Sequence, residues 1–210
     1  GGAIREGILY ELLPNMRNVN IRQRTLAGLI ERYSIDERHA YRVANIADQA
    51  FNDLKDVWQL PNNLASILQS ACVLHEIGLL LEYKKNKQHA EYILNNADLA
   101  GFSDAERKLL IALVSNYKTE INFVTLSEQS FTTNSLAIRI IAILRLAVIL
   151  SRRRTDDALE RVGFDGKENE LSLILEASFL EKHPLIYDGL KREITFLAQL
   201  KFQFNISIFS

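Results

Sequence analysis

Two hundred and ten residues, 48% of them hydrophobic and 24% charged, can bury the core of one large domain or two small ones and keep an ordinary soluble surface. A net charge of −1 gives no overall attraction to nucleic acid or to an anionic membrane, and neither is expected as a partner. The longest apolar run, Leu136 to Leu150, is broken by Arg139 and Arg145 and is shorter than the roughly 18 residues a membrane span needs, so it reads as a core helix.

From the N-terminus, Gly1-Gly2 without a methionine is the opening expected of a piece of a longer protein, and Ala3 to Leu13 reads as a short helix stopped by Pro14. A second helix is predicted from an N-cap at about Asn20 through Leu26, Leu29, Ile30 and Tyr33. Asp36 caps a third, with His39, Val43, Ile46, Ala47, Ala50 and Leu54 on its inner face. Pro61-Asn62-Asn63 makes a turn before an apolar helix on which Leu64, Ile67, Leu68, Ala71 and His75 share one face, so His75 points inward. Lys84 to Lys87 reads as a polar loop, and His89, Tyr92 and Ile93 open a short helix. Ser103 and Glu106 form a capping box for a helix through Tyr117, Asn122 to Thr133 is expected to be irregular, and the buried Leu136–Leu150 helix follows. Cys72 has no partner for a disulfide and reads as a small core residue of a reducing compartment.

Beyond Arg152-Arg153-Arg154, whose charges suit a helix C-terminus, the pattern changes. Leu159 to Phe164 and Leu171 to Glu176 read as strands around a turn at Gly166-Lys167-Glu168-Asn169. A helix from about Ser178 to Leu200 leads to the alternating strand Phe202 to Ile208. The predicted fold is mainly α: a helical domain over residues 1–155 and a small ββαβ subdomain over residues 156–210.

His39, His75-Glu76 and His89 on successive helices resemble the HD superfamily of metal-dependent phosphohydrolases, so the first domain is expected to be an HD-like bundle. A closer resemblance is to the exopolyphosphatase / guanosine-pentaphosphate phosphohydrolase family. It is carried in order by Ala3–Tyr10, by Ile21-Arg22-Gln23-Arg24-Thr25, by Leu74-His75-Glu76-Ile77-Gly78, by His89–Leu94 through Leu99–Ser103, and by Leu144-Arg145-Leu146-Ala147. The resemblance implies that the chain is the C-terminal part of such an enzyme. Hydrolysis of polyphosphate or guanosine pentaphosphate, with magnesium, would belong to an actin-like pair of domains ahead of it. The implied duties of this part are substrate grip and homodimer contacts, in the cytoplasm.

Working HD sites hold a divalent metal with a first histidine, a His-Asp pair and a distant aspartate, and the metal activates a water. Here His39, His75 and Glu76 are the candidate ligands, but Val148 stands where the last aspartate is expected and Glu76 replaces an aspartate. Affinity depends on ligand number and geometry, so no cofactor is expected beyond a loosely held divalent metal, with His89 as a helper. The candidate contacts for a polyanion are Arg22, Arg24, Lys84, Lys85, Lys87, His89 and Arg145, because arginine forks and mobile lysines both suit phosphate. A buried Arg145 must be paired, either with an acid such as Glu76 or with an anion. Rival readings are a self-sufficient HD-type phosphohydrolase and a pure dimerisation module.

Overall fold

The computed structural model describes residues 16–153 and 161–210. The predicted Ala3–Leu13 helix, Arg154, the start of the first strand at Leu159 and the 155/156 boundary lie outside these residues. The helical part consists of α1 (Met16–Arg32), α2 (Glu37–Trp58), α3 (Asn63–Leu74), α4 (Asn86–Asn96), α5 (Asp104–Val114), α6 (Phe123–Glu128) and α7 (Asn134–Leu150), with a 3-10 turn at Tyr83–Lys85. It is followed by β1 (Val162–Lys167), β2 (Glu170–Leu175), α8 (Ala177–Lys182), α9 (Pro184–Gln199) and β3 (Gln203–Ile208). The mainly α fold with a small α/β tail is as the residue pattern predicts.

Helix caps fix most of the boundaries. The Asp36 side chain accepts from the His39 amide at 3.1 Å, and Ser103 with Glu106 completes the expected capping box. Four expectations need correction. Helix α1 begins at Met16 rather than at an Asn20 cap, since nothing between those residues breaks a helix. Asn122 accepts from the Thr125 amide at 3.2 Å and so starts α6 inside a stretch expected to be irregular. Helix α5 stops at Val114, where the Asn116 side chain takes the Ala112 carbonyl at 2.8 Å and receives the Asn122 amide at 2.6 Å. The predicted Ser178–Leu200 helix is two helices, because His183 precedes Pro184 and is pushed out of the helical region.

The sheet has order β1-β2-β3. Strands β1 and β2 form an antiparallel hairpin closed by Glu168-Asn169, tighter than the expected four-residue turn, and β3 returns parallel to β2 after the helices. Leu171, Leu173 and Leu175 point to one face, as the period of two requires, and one apolar core runs from Leu64 on α3 through Leu144 on α7 to Leu173 and Leu190. The hairpin is tied to the end of α2. Trp58 Nε1 donates to the Lys167 carbonyl at 2.7 Å, and Arg139 bridges the carbonyls of Trp58 (2.9 Å) and Glu168 (2.8 Å). Gly166 is glycine because a Cβ there would sit 2.8 Å from the indole nitrogen.

Candidate functional site

Helix α3 is apolar on most sides and ends with His75 at its C-cap, which aims the imidazole into the bundle against α2. His39 and His75 are 2% and 1% exposed, with ring centroids 6.1 Å apart. Glu76, half-buried beside them, brings Oε1 to 3.8 Å from His39 Nε2. One ligand atom from each of the three lies within 4.8 Å of the others, and among the described residues this is the one such grouping. The His75 Nδ1 contact to the Cys72 carbonyl, at 2.6 Å, requires Nδ1–H, so in the neutral ring Nε2 is the acceptor nitrogen.

The shell around the histidines is built from residues that carry no obvious sequence signal. Asn86 is buried at the start of α4 and donates to the His75 carbonyl (2.8 Å) and to the Tyr117 hydroxyl (2.6 Å), while the Tyr117 ring meets His75 edge-on at 5.0 Å. Asn86 therefore belongs to α4, not to the polar loop expected at Lys84–Lys87. Gly78 lets that helix approach, since a Cβ would lie 2.5 Å from the Asn86 carbonyl oxygen. The neighbouring Lys118 ammonium is pushed below its usual range chiefly by burial and by Arg152, against an opposing pull from Glu76.

These residues supply three donors, one fewer than a closed four-ligand cage takes, and Glu76 lies 3.8 Å from His39 and also acts electrostatically on the Lys118 ammonium. His89 stands apart from the grouping, with Nε2 3.6 Å from Glu82 Oε2. Burial and the charge of Asp48 raise the Cys72 thiol far above its ordinary value, so it stays an inert core group.

The cationic candidates divide sharply. Arg145 is fully buried and holds Glu193 of α9 through both carboxylate oxygens, at 2.9 and 2.7 Å, rather than Glu76. Its remaining contacts are the carbonyls of Asn116 (2.7 Å) and Thr119 (2.8 Å). The periodic apolar stripe Ile186, Leu190, Glu193, Leu197 on α9 could have flagged this acid. Arg22 is likewise spent internally. It binds Glu106, the Gly101 carbonyl at 2.6 Å and Ser66 at 3.1 Å, and it stacks 4.8 Å from the Phe102 ring. Lys87 is half-buried and donates to the carbonyls of Lys118 (2.8 Å) and Glu120 (3.0 Å); burial and Arg145 lower its pKa to about 8. Lys84, Lys85 and Arg24 are exposed, Lys84 and Lys85 just ahead of α4, whose N-terminus no side chain caps.

A family model described as Ppx/GppA phosphatase, domain III, matches residues 21–194. The chain belongs to that family. Within it the chain corresponds to domain III, in the C-terminal region, as the order of the short motifs implies. It is 43% identical over 195 residues to a guanosine-5′-triphosphate,3′-diphosphate pyrophosphatase of Aeromonas hydrophila, a match covering 92% of this chain and 39% of that protein. A protein of the same name from Aeromonas salmonicida is 42% identical with the same coverage, and one from Pseudoalteromonas translucida is 37% identical over 204 residues, 95% of this chain and 40% of the relative. The chain thus spans 39–40% of the length of these family members. Among the described residues no helix is long and apolar enough to cross a membrane.

Proposed function

We propose that this domain is the non-catalytic C-terminal domain of an exopolyphosphatase-like phosphohydrolase acting in the cytoplasm with magnesium. Its task is to hold the polyanionic tail of the substrate, polyphosphate or guanosine pentaphosphate, and to pair with a second copy of the protein. The observation that carries this reading is the exposed Lys84–Lys85 pair on the turn that feeds the uncapped N-terminus of α4. Two mobile ammonium groups at the positive end of a helix dipole suit a chain of phosphates. The three-donor histidine cluster beside them supports a structural role for His39, His75 and Glu76 rather than water activation.

The test is retention of long-chain polyphosphate by the chain at low salt. Binding should fall steeply as ionic strength rises, and Lys84→Ala with Lys85→Ala should weaken it several-fold. Unchanged retention by the double variant would remove the turn from the account. The His75 tautomer, with its Nε2 lone pair directed by the Cys72 carbonyl, favours one rival: a metal phosphohydrolase in its own right. Stoichiometric manganese or iron in the purified chain, together with phosphate release lost on His75→Ala, would establish that rival instead.

A further inference from the structure

Gly28 stands in the middle of α1, on its exposed side. A glycine inside a helix is less favourable than an alanine, so its presence calls for a physical reason. The other described glycines have one close by: a Cβ at Gly78, Gly101, Gly163, Gly166 or Gly189 would meet a neighbour at 3.3 Å or less. A Cβ at Gly28 would meet nothing within 4 Å, so no contact among the described residues requires its absence. The bare backbone lines a cleft of about 480 Å³ between α1 and the turn carrying Asp98 and Ala100, with Ile21 and Leu29 as further apolar lining. Its two walls are tied together, since Thr25 Oγ1 donates to the Ala100 carbonyl at 2.7 Å and Arg22 to the Gly101 carbonyl at 2.6 Å. Arg24 and Arg32 line the same cleft. With Gly28 they follow at four-residue spacing, which sets them along one line of the helix with the two cations about 12 Å apart. Both arginines are exposed, and among the described residues neither has a carboxylate partner; Arg32 only faces the Tyr33 ring, 5.5 Å from its centroid.

We infer that this cleft is a docking site for an acidic amphipathic helix, which crosses α1 at Gly28 and sets carboxylates against Arg24 and Arg32. Packed helices lie about 8–10 Å apart according to the side chains at their crossing, and a glycine there permits the close end of that range. An apolar floor with a cation one turn to either side matches a helix bearing small and apolar residues at the crossing and a carboxylate one turn above and below it. A second copy of this chain does not fit. A twofold axis through Gly28 brings Arg24 against Arg24 or Arg32 of the other copy, like charges in either case. A chain of phosphates would use the two guanidinium groups but would gain nothing from the missing Cβ or from Ile21, Leu29 and Ala100. The inference is independent of the Lys84–Lys85 reading and gives Arg24 a protein rather than a phosphate to hold.

Two measurements on the chain test this. Gly28→Ala should raise the melting temperature, because alanine favours the helix and its methyl group meets nothing here. A lower melting temperature would show that the glycine serves the fold itself and would overturn the inference. The binding probe is a labelled amphipathic peptide of about five helical turns, with alanine at its centre, leucines along one face and a glutamate one turn to either side of the alanine. A control peptide carries lysines in place of the glutamates. By fluorescence anisotropy at low salt the glutamate peptide should bind about tenfold more tightly than the control, and Gly28→Leu or the double Arg24→Glu, Arg32→Glu variant should each weaken it about tenfold with helical circular dichroism unchanged. Equal binding of the two peptides, no binding of either, or no effect of Gly28→Leu overturns the inference. If the glutamate peptide fails while tripolyphosphate binds through Arg24 and Arg32, the cleft takes a polyanion and the helix site falls.

Discussion

Arg145 at the α7–α9 junction and the lysines ahead of α4 are both candidates for gripping an anion by residue type, yet the fold uses them oppositely. Arg145 is enclosed, its fork matched to Glu193 and its outer nitrogens to the Asn116 and Thr119 carbonyls, so it ties α7, α9 and the loop after α5 into one body. Arg22 does the same for α1, α3 and the start of α5. Lys84 and Lys85 are solvent-exposed, and Lys85 is only loosely paired, 3.9 Å from Glu82. A planar, permanently charged fork suits fixed internal geometry, whereas a flexible ammonium suits a ligand that slides or varies in length. Charge count alone would have ranked these positions together, while burial separates them.

That separation can be broken most forcefully at Glu193. Glu193→Ala leaves the Arg145 guanidinium buried without its carboxylate, and urea denaturation should register a loss of about 3–5 kcal/mol. Arg22→Ala should cost less, about 1–3 kcal/mol, because the groups it leaves behind are partly reached by water. Burial alone would raise the Glu106 carboxyl, but the Ser103 amide and Arg22 bring it below the ordinary range. Its stabilisation is therefore complete above the unfolded carboxylate's pKa and disappears as pH falls through the lower folded value, and Glu106→Gln should flatten the acid limb of a stability–pH curve.

Lys87 gives the same sign of slope in an alkaline window. Its folded pKa of about 8 lies below the ordinary lysine value of 10.5, so the unfolded chain binds more protons between those two values. Stability should rise with pH across that window, and comparison of thermal melts with Lys87→Met should show the rise only in the parent. The smallest stability effect belongs to the double Lys84→Ala, Lys85→Ala variant, within about 0.5 kcal/mol of the parent, even though polyphosphate retention drops. A large stability loss there would mean that the turn is structural and that the contrast with Arg145 is false.

The inward histidines were legible because helical spacing alone decides which side of α3 and α2 they face. The capping box at Ser103 and Glu106 and the alternating β strands were legible for the same reason: each is a pattern confined to a few neighbouring residues. Partners distant in the chain were not. Arg145 is 48 positions from Glu193, and although the stripe on α9 marks that acid as inward-facing, no local pattern pairs it with Arg145. Lys84–Lys87 reads as a polar loop, yet the Asn86 amide within it is buried and joins His75 to Tyr117. The break at His183 was legible in principle from Pro184 but was outweighed by the apolar periodicity on either side. The cleft beside Gly28 depends on α1 meeting the turn at Ala100, which no single stretch announces.

Trp58 is the sole tryptophan of the chain, and it sits fully buried at the seam where the hairpin's Lys167 carbonyl meets the end of α2. All indole fluorescence therefore originates at the joint between helices and sheet. If the tail peels away before the bundle melts, emission will shift to the red while helical circular dichroism holds, and a coincident change in both will mean that the two parts come apart as one.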